Sequence, residues 1–203
     1  MKKICYIFFI VITSMLMASC SGESNNQQNH IRQAELSSEQ QYILNFITTH
    51  YSEIHLFDFT TDESFTNVEF WLDVYEYGMP VDSIPGIHQI NNAARPLDGR
   101  LAVIINSENG NRDFQWTFIA DQGGGRATSR FESPTINNAG YGRMFGPILE
   151  PINIQDDREI ILYISKFASD GLRIHDNIQI FAEQPELLAE YPYVHIIKAR
   201  FSR

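Results

Sequence analysis

From Glu53 onward the apolar residues recur at every second position, and that alternation restricts the possible fold more than any other feature of the chain. Thr66–Tyr77 shows it best. Val68, Phe70, Leu72 and Val74 fall on one side of an extended chain, and Glu69, Trp71, Asp73 and Tyr75 on the other. Glu53–Phe59 carries a shorter version. Arg100–Asn106 and Asp113–Ala120 read as a hairpin, with Asn109-Gly110 supplying the positive backbone dihedrals of a tight turn. Gln122–Gly125 is the next turn and leads into Arg126–Glu132. A further short strand is expected around Met144–Leu149. Glu159–Phe167 is apolar throughout, as a strand covered on both faces would be, with Leu172–Phe181 as its expected partner. Pro185–Tyr191 reads as a short helical turn and Tyr193–Phe201 as a closing strand. Val81–Arg95, broken by Ile84-Pro85-Gly86, reads as an irregular connection. Eight or nine strands at short spacing, without alternating βα units, predict a mainly β fold: a two-layer antiparallel β-sandwich or an open barrel.

One helix is expected ahead of the strands, over Ser38–Tyr51. Ser38 followed by Gln41 has capping-box form, and Tyr42, Ile43, Phe46 and Ile47 make one apolar stripe. An amphipathic helix of this kind is expected to pack on the sheet that follows it.

The amino-terminal segment has a different character. Lys2 and Lys3 precede an apolar run, Ile4–Met17, too short to span a bilayer comfortably, and Leu16-Met17-Ala18-Ser19-Cys20 closes it. These five residues resemble the lipobox of bacterial lipoprotein signals. The resemblance implies cleavage before Cys20, a diacylglyceryl group on its thiol and an acylated new amino terminus. It assigns residues 1–19 to a signal peptide, 20–36 to a lipidated cysteine and tether, and 37–203 to one domain. Ser21–Gln33, with its run of Asn and Gln, is polar and without apolar periodicity, as a flexible tether would be. Together, Val68–Gly78, Glu159–Phe167 and His195–Ser202 look like small lipid-anchored β-rich domains of bacterial envelopes. That likeness spans Glu39–Arg203 and carries no functional residue with it.

Composition then narrows the function classes. The chain has two cysteines. Cys5 leaves with the signal and Cys20 carries lipid, so the mature domain has no thiol for a disulfide, a thiolate metal site or a cysteine nucleophile. Without Lys2 and Lys3, 13 basic residues face 25 acidic ones, a net charge of −12. A chain so acidic, without a basic stripe, is not expected to bind nucleic acid, and an anionic lipid surface would repel it, leaving the lipid to do the anchoring.

No motif states an activity, and no cofactor is expected. The six histidines show neither HxH nor HExxH spacing, and GxSxG is absent. Gly123–Gly125 lacks the GK[ST] ending of a phosphate loop and is expected to be a hairpin turn. Asp156 and Asp157 are the best candidates for a calcium ion, and paired acids also leave open a glycosidase-like hydrolase. Aromatic residues are the more informative surplus. Trp71, Tyr75 and Tyr77 alternate along one strand face, and Trp116 lies on a second strand. Sugars stack their C–H faces on such rings while polar neighbours bond the hydroxyls. The expectation is a non-catalytic envelope lipoprotein that binds a protein or small ligand, with a surface carbohydrate-binding module as the alternative. Trp71, Tyr75, Tyr77 and Trp116 are the candidate contact residues in either case.

Overall fold

A computed structural model of the chain describes residues 29–48, 52–90, 96–108, 113–122, 125–133, 141–169 and 177–203. The signal segment, Cys20, the tether up to Gln28, the Asn109-Gly110 turn, Gly123-Gly124 and residues 172–176 lie outside them.

The elements run β1 (His30–Gln33), α1 (Ser38–Ile47), β2 (Ser52–Thr60), β3 (Asn67–Glu76), β4 (Met79–Ile90), β5 (Asp98–Glu108), β6 (Asp113–Gln122), β7 (Gly125–Glu132), β8 (Gly142–Pro147), β9 (Ile152–Asn153), β10 (Glu159–Ala168), α2 (Ile180–Glu183), a 3-10 turn (Pro185–Glu190) and β11 (Tyr193–Ser202). The strands form two antiparallel sheets. The first has the order β7-β6-β5-β2-β1-β9 and the second β4-β3-β11-β10-β8. The fold is mainly β and sandwich-like, as the alternation predicts.

Alternation explains the core. Phe57 and Phe59 of β2, with Phe114, Trp116 and Phe118 of β6, turn inward from the first sheet, and all five are buried. Val68, Phe70, Leu72 and Val74 of β3 meet them from the second, with Ile197, Ala199 and Phe201 of β11. Phe59 packs on Phe70 and Phe201 at centroid distances of 5.8 and 5.6 Å, and Phe114 packs edge-on against Phe167 at 5.5 Å. Such tilted and edge-on pairs suit the ring quadrupoles.

Five sequence expectations need correction. His30–Gln33 is not tether but strand: Ile31 is fully buried, and β1 is hydrogen-bonded to β2 on one side and β9 on the other. Four residues with one apolar side chain are too short to show a period. The helix is capped by Ser37, one residue earlier than expected. Ser37 Oγ accepts from the Gln40 amide, and the Gln40 side chain accepts from the Ser37 amide. Nor does that helix bury Tyr42, Ile43 and Phe46 of its stripe: all three are exposed, while Leu44 on the far side is half-buried.

The segment from Met79 is an edge strand rather than an irregular connection. Two bulges, at Val81 and Gly86, keep its prolines from interrupting the ladder with β3. Gly86 is obligatory there, since a Cβ would lie 2.4 Å from the Phe118 ring and 2.5 Å from the Phe70 carbonyl. Finally, Ile180–Glu183 is helical, and β10 pairs instead with β8 and β11.

Candidate functional site

Residues that face outward on β3 are aligned by register with outward residues of β11: Glu69 opposite Arg200, Trp71 opposite Lys198, and Asp73 opposite Ile196. Arg200 donates to Glu69 through Nε at 3.0 Å and Nη2 at 2.6 Å, and its guanidinium lies 5.7 Å from the Trp71 ring centroid. Lys198 joins two carboxylates, Asp73 at 2.8 Å and Glu159 at 2.9 Å. Burial alone would lower the Lys198 ammonium, but hydrogen bonds to Asp73 and Glu159 outweigh it and hold the group above its ordinary value. Ser83 of β4 donates to Asp73 at 2.7 Å, and the Tyr75 hydroxyl lies 3.4 Å from the same carboxylate. Burial pushes the Tyr75 phenol up, so it stays protonated at neutral pH.

Glu69, Asp73, Ser83, Glu159 and Arg200 line a groove of about 620 Å³ on the outer face of the second sheet, with Trp71 in its wall and Pro85 and His88 on the β4 lip. Beyond Glu159 the same face continues past Tyr75 and Lys198 to α2 and the 3-10 turn, whose Phe181 and Leu188 cover the rest of the sheet. The groove thus offers an indole, several acceptors held by ion pairs, and hydroxyl and imidazole groups. Paired in this way, the charges are already oriented before a ligand arrives, which lowers the cost of ordering them.

Of the four aromatic candidates, the structure brings Trp71 and Tyr75 onto this face. Tyr77 is elsewhere: with φ of 47° it forms, with Gly78 at 77°, the two-residue turn joining β3 to β4, where it is exposed. Trp116 is corrected outright. It is 0% exposed, packed edge-on against Tyr163 and His195 between the sheets, and reaches no ligand. Its strand alternates like β3, but its tryptophan has the inward parity. The calcium candidates sit beside the end of β11. Asp156 accepts from the Arg203 amide at 3.1 Å and Asp157 lies 3.7 Å from Arg200, and the described residues hold no group of three metal-ligating side chains.

Sequence reasoning missed Glu69, Ser83, Glu159, Lys198 and Arg200, because the β3–β11 register joins segments about 130 residues apart. It also missed a polar cluster inside the sandwich. Arg143 of β8 pairs with Glu53 of β2 and donates to Tyr163 at 2.6 Å and Ser165 at 2.7 Å. Tyr163 donates to Glu53 at 3.0 Å, and His55 lies 3.3 Å from that carboxylate. Rings of Phe145 and Phe114 flank the guanidinium at 4.6 and 4.9 Å. Each member is engaged by another, so the cluster acts as a crosslink between the sheets.

Residues 30–201 match the family model of the YgaN domain. The chain belongs to the YgaN domain family. The match opens on the first residue of β1 and closes within β11, so the YgaN domain takes in both sheets and the Trp71 groove. No curated protein and no solved structure matches the chain.

Proposed function

We propose that this YgaN domain is a non-catalytic binding module of the bacterial cell envelope, exported and held on a membrane by lipid at Cys20, and that the Trp71 groove is its ligand seat. Leu16–Cys20 supports the anchor, through its likeness to a lipobox. The groove itself carries the binding reading: an accessible indole beside carboxylates whose positions are fixed by Lys198 and Arg200. Between the two ligand classes, its chemistry favours a glycan over a protein. A sugar ring can lie on the indole while its hydroxyls donate to Glu69, Asp73 and Glu159 and accept from Arg200. A protein contact would call for a larger apolar patch around Trp71 than the groove supplies. Nucleic acid does not fit so acidic a surface.

The test is a panel of cell-wall and host polysaccharides presented to the full chain in detergent, beside its Trp71→Ala variant. Saturable binding that weakens at least tenfold in the variant, with the circular dichroism spectrum unchanged, is the expected result. Binding that survives Trp71→Ala refutes this seat. A panel with no binder at all returns the groove to the protein-partner reading, which crosslinking in the native envelope then examines.

A further inference from the structure

Helix α1 leaves its best apolar surface in water. Tyr42 is 71%, Ile43 51% and Phe46 81% exposed. At 3.6 residues per turn these three lie within about 100° of one another and on the opposite side from Leu44, which is half-buried. A helix that keeps two aromatic rings and an isoleucine pointing away from its own core, at a cost in hydration, has a second surface to meet.

The chain ahead of the helix says which surface that is. β1 begins at His30, ten residues after Cys20, and α1 begins five residues after β1 ends. Ten residues span at most about 35 Å when fully extended. A domain whose Cys20 carries lipid therefore stays within roughly its own diameter of the bilayer, and the helix is among its elements nearest to the anchor along the chain. Confinement to so thin a layer makes contact between the helix and the lipid surface an intramolecular event. The side-chain chemistry agrees: Tyr and Phe favour the interfacial layer, where a ring is half in hydrocarbon and half in water. Glu39 is the one charge on the helix and there is no basic residue in its last turn, so anionic headgroups are not its target.

We propose that the Tyr42–Ile43–Phe46 face of α1 lies in the headgroup layer of a zwitterionic bilayer, as a second, non-covalent contact beside the lipid on Cys20. This inference rests on the anchor proposed above. Its test uses the mature full chain, reconstituted in phosphatidylcholine vesicles with brominated acyl chains. A thiol-reactive bimane is placed at Phe46→Cys or, on the opposite side of the helix, at Gln41→Cys. Cleavage and acylation leave no other free thiol. The expected result is strong bromine quenching and a blue shift at Phe46→Cys, with Gln41→Cys little affected.

If the chain floats with vesicles and its intact mass shows the lipid, but the Phe46→Cys probe stays unquenched, the helix contact is overturned while the anchor stands. A mature chain of unlipidated mass overturns both. A probe quenched only in vesicles rich in phosphatidylglycerol would also overturn the zwitterionic seat.

Discussion

His195 gives the sharpest quantitative test of the core. The ring is 0% exposed between the sheets, edge-on to Phe114, Trp116 and Phe167 at 5.4 to 5.5 Å, and neither ring nitrogen has a hydrogen-bond partner among the described residues. Burial, reinforced by the nearby Arg143 charge, lowers its pKa to about 3 from 6.5. The sign follows directly. Below pH 6.5 the unfolded chain takes up a proton that the folded one refuses until about pH 3, so stability falls as the pH drops across that window. The slope is about 1.4 kcal/mol per pH unit, so His195 alone removes about 2 kcal/mol between pH 7.5 and pH 5.0.

His195→Leu should erase that loss. At pH 7.5 the variant gives up edge-on ring contacts worth about 0.5–1.5 kcal/mol each, and it is relieved of unpartnered buried nitrogens worth about 1–3 kcal/mol. The two nearly cancel. At pH 5.0 the variant should then be the more stable protein by about 2 kcal/mol. Urea unfolding followed by tryptophan fluorescence at the two pH values reads the difference directly, and the other histidines cancel because both proteins share them. Equal losses of stability in wild type and variant would refute the argument that this imidazole stays neutral in the fold.

Three further outcomes follow from the same packing. Glu53→Gln and Arg143→Met should each cost about 3–5 kcal/mol and the double variant clearly less than their sum, measured as a double-mutant cycle in urea. Burial would raise the Glu53 carboxyl, but the His55 hydrogen bond, the Arg143 charge and the Tyr163 hydroxyl hold it below its ordinary value. Its contribution is therefore complete above pH 4.5 and disappears as the pH falls through the folded value, and Glu53→Gln should remove that acid-sensitive part. Trp116→Ala should cost about 3–5 kcal/mol in thermal or urea unfolding, and Trp71→Ala, on the outer face, less than half of that. Gly86→Ala should cost at least about 1–3 kcal/mol in the same assay, because the added methyl must displace the Phe118 ring or the Phe70 carbonyl.

How much of this was legible in the sequence depended on the range of the signal. Alternation over ten residues exposed β3, β6 and β11 and separated the two faces of each, because the pleat ties parity to side. Parity alone does not say which side is the core, and so Trp71 and Trp116, both on alternating strands, looked equivalent until the sheets were paired. β4 was hidden by its prolines, whose effect on the ladder the Val81 and Gly86 bulges remove. The groove was illegible for a different reason: its polar groups come from β3, β4, β10 and β11, and no local pattern encodes their register. The same holds for Glu53 and Arg143, 90 residues apart.

The place of β11 bears on how such a chain comes into being. It lies between β3 and β10, pairing Asn67 with Ser202 and Glu159 with Arg200, and so is the middle of its sheet although it is the last described strand to be synthesised. A growing polypeptide that has not reached Tyr193 holds two separate pairs, β3 with β4 and β8 with β10, and nothing to join them. The row Val68–Val74 then has no neighbour on its open side, although every strand of the facing sheet has already been made. Strand order along the gene thus acts as a timer. The centre of the second sheet is the last of its strands to arrive, and only then are the two pairs on either side of it joined, a long-range pairing of the kind that slows folding.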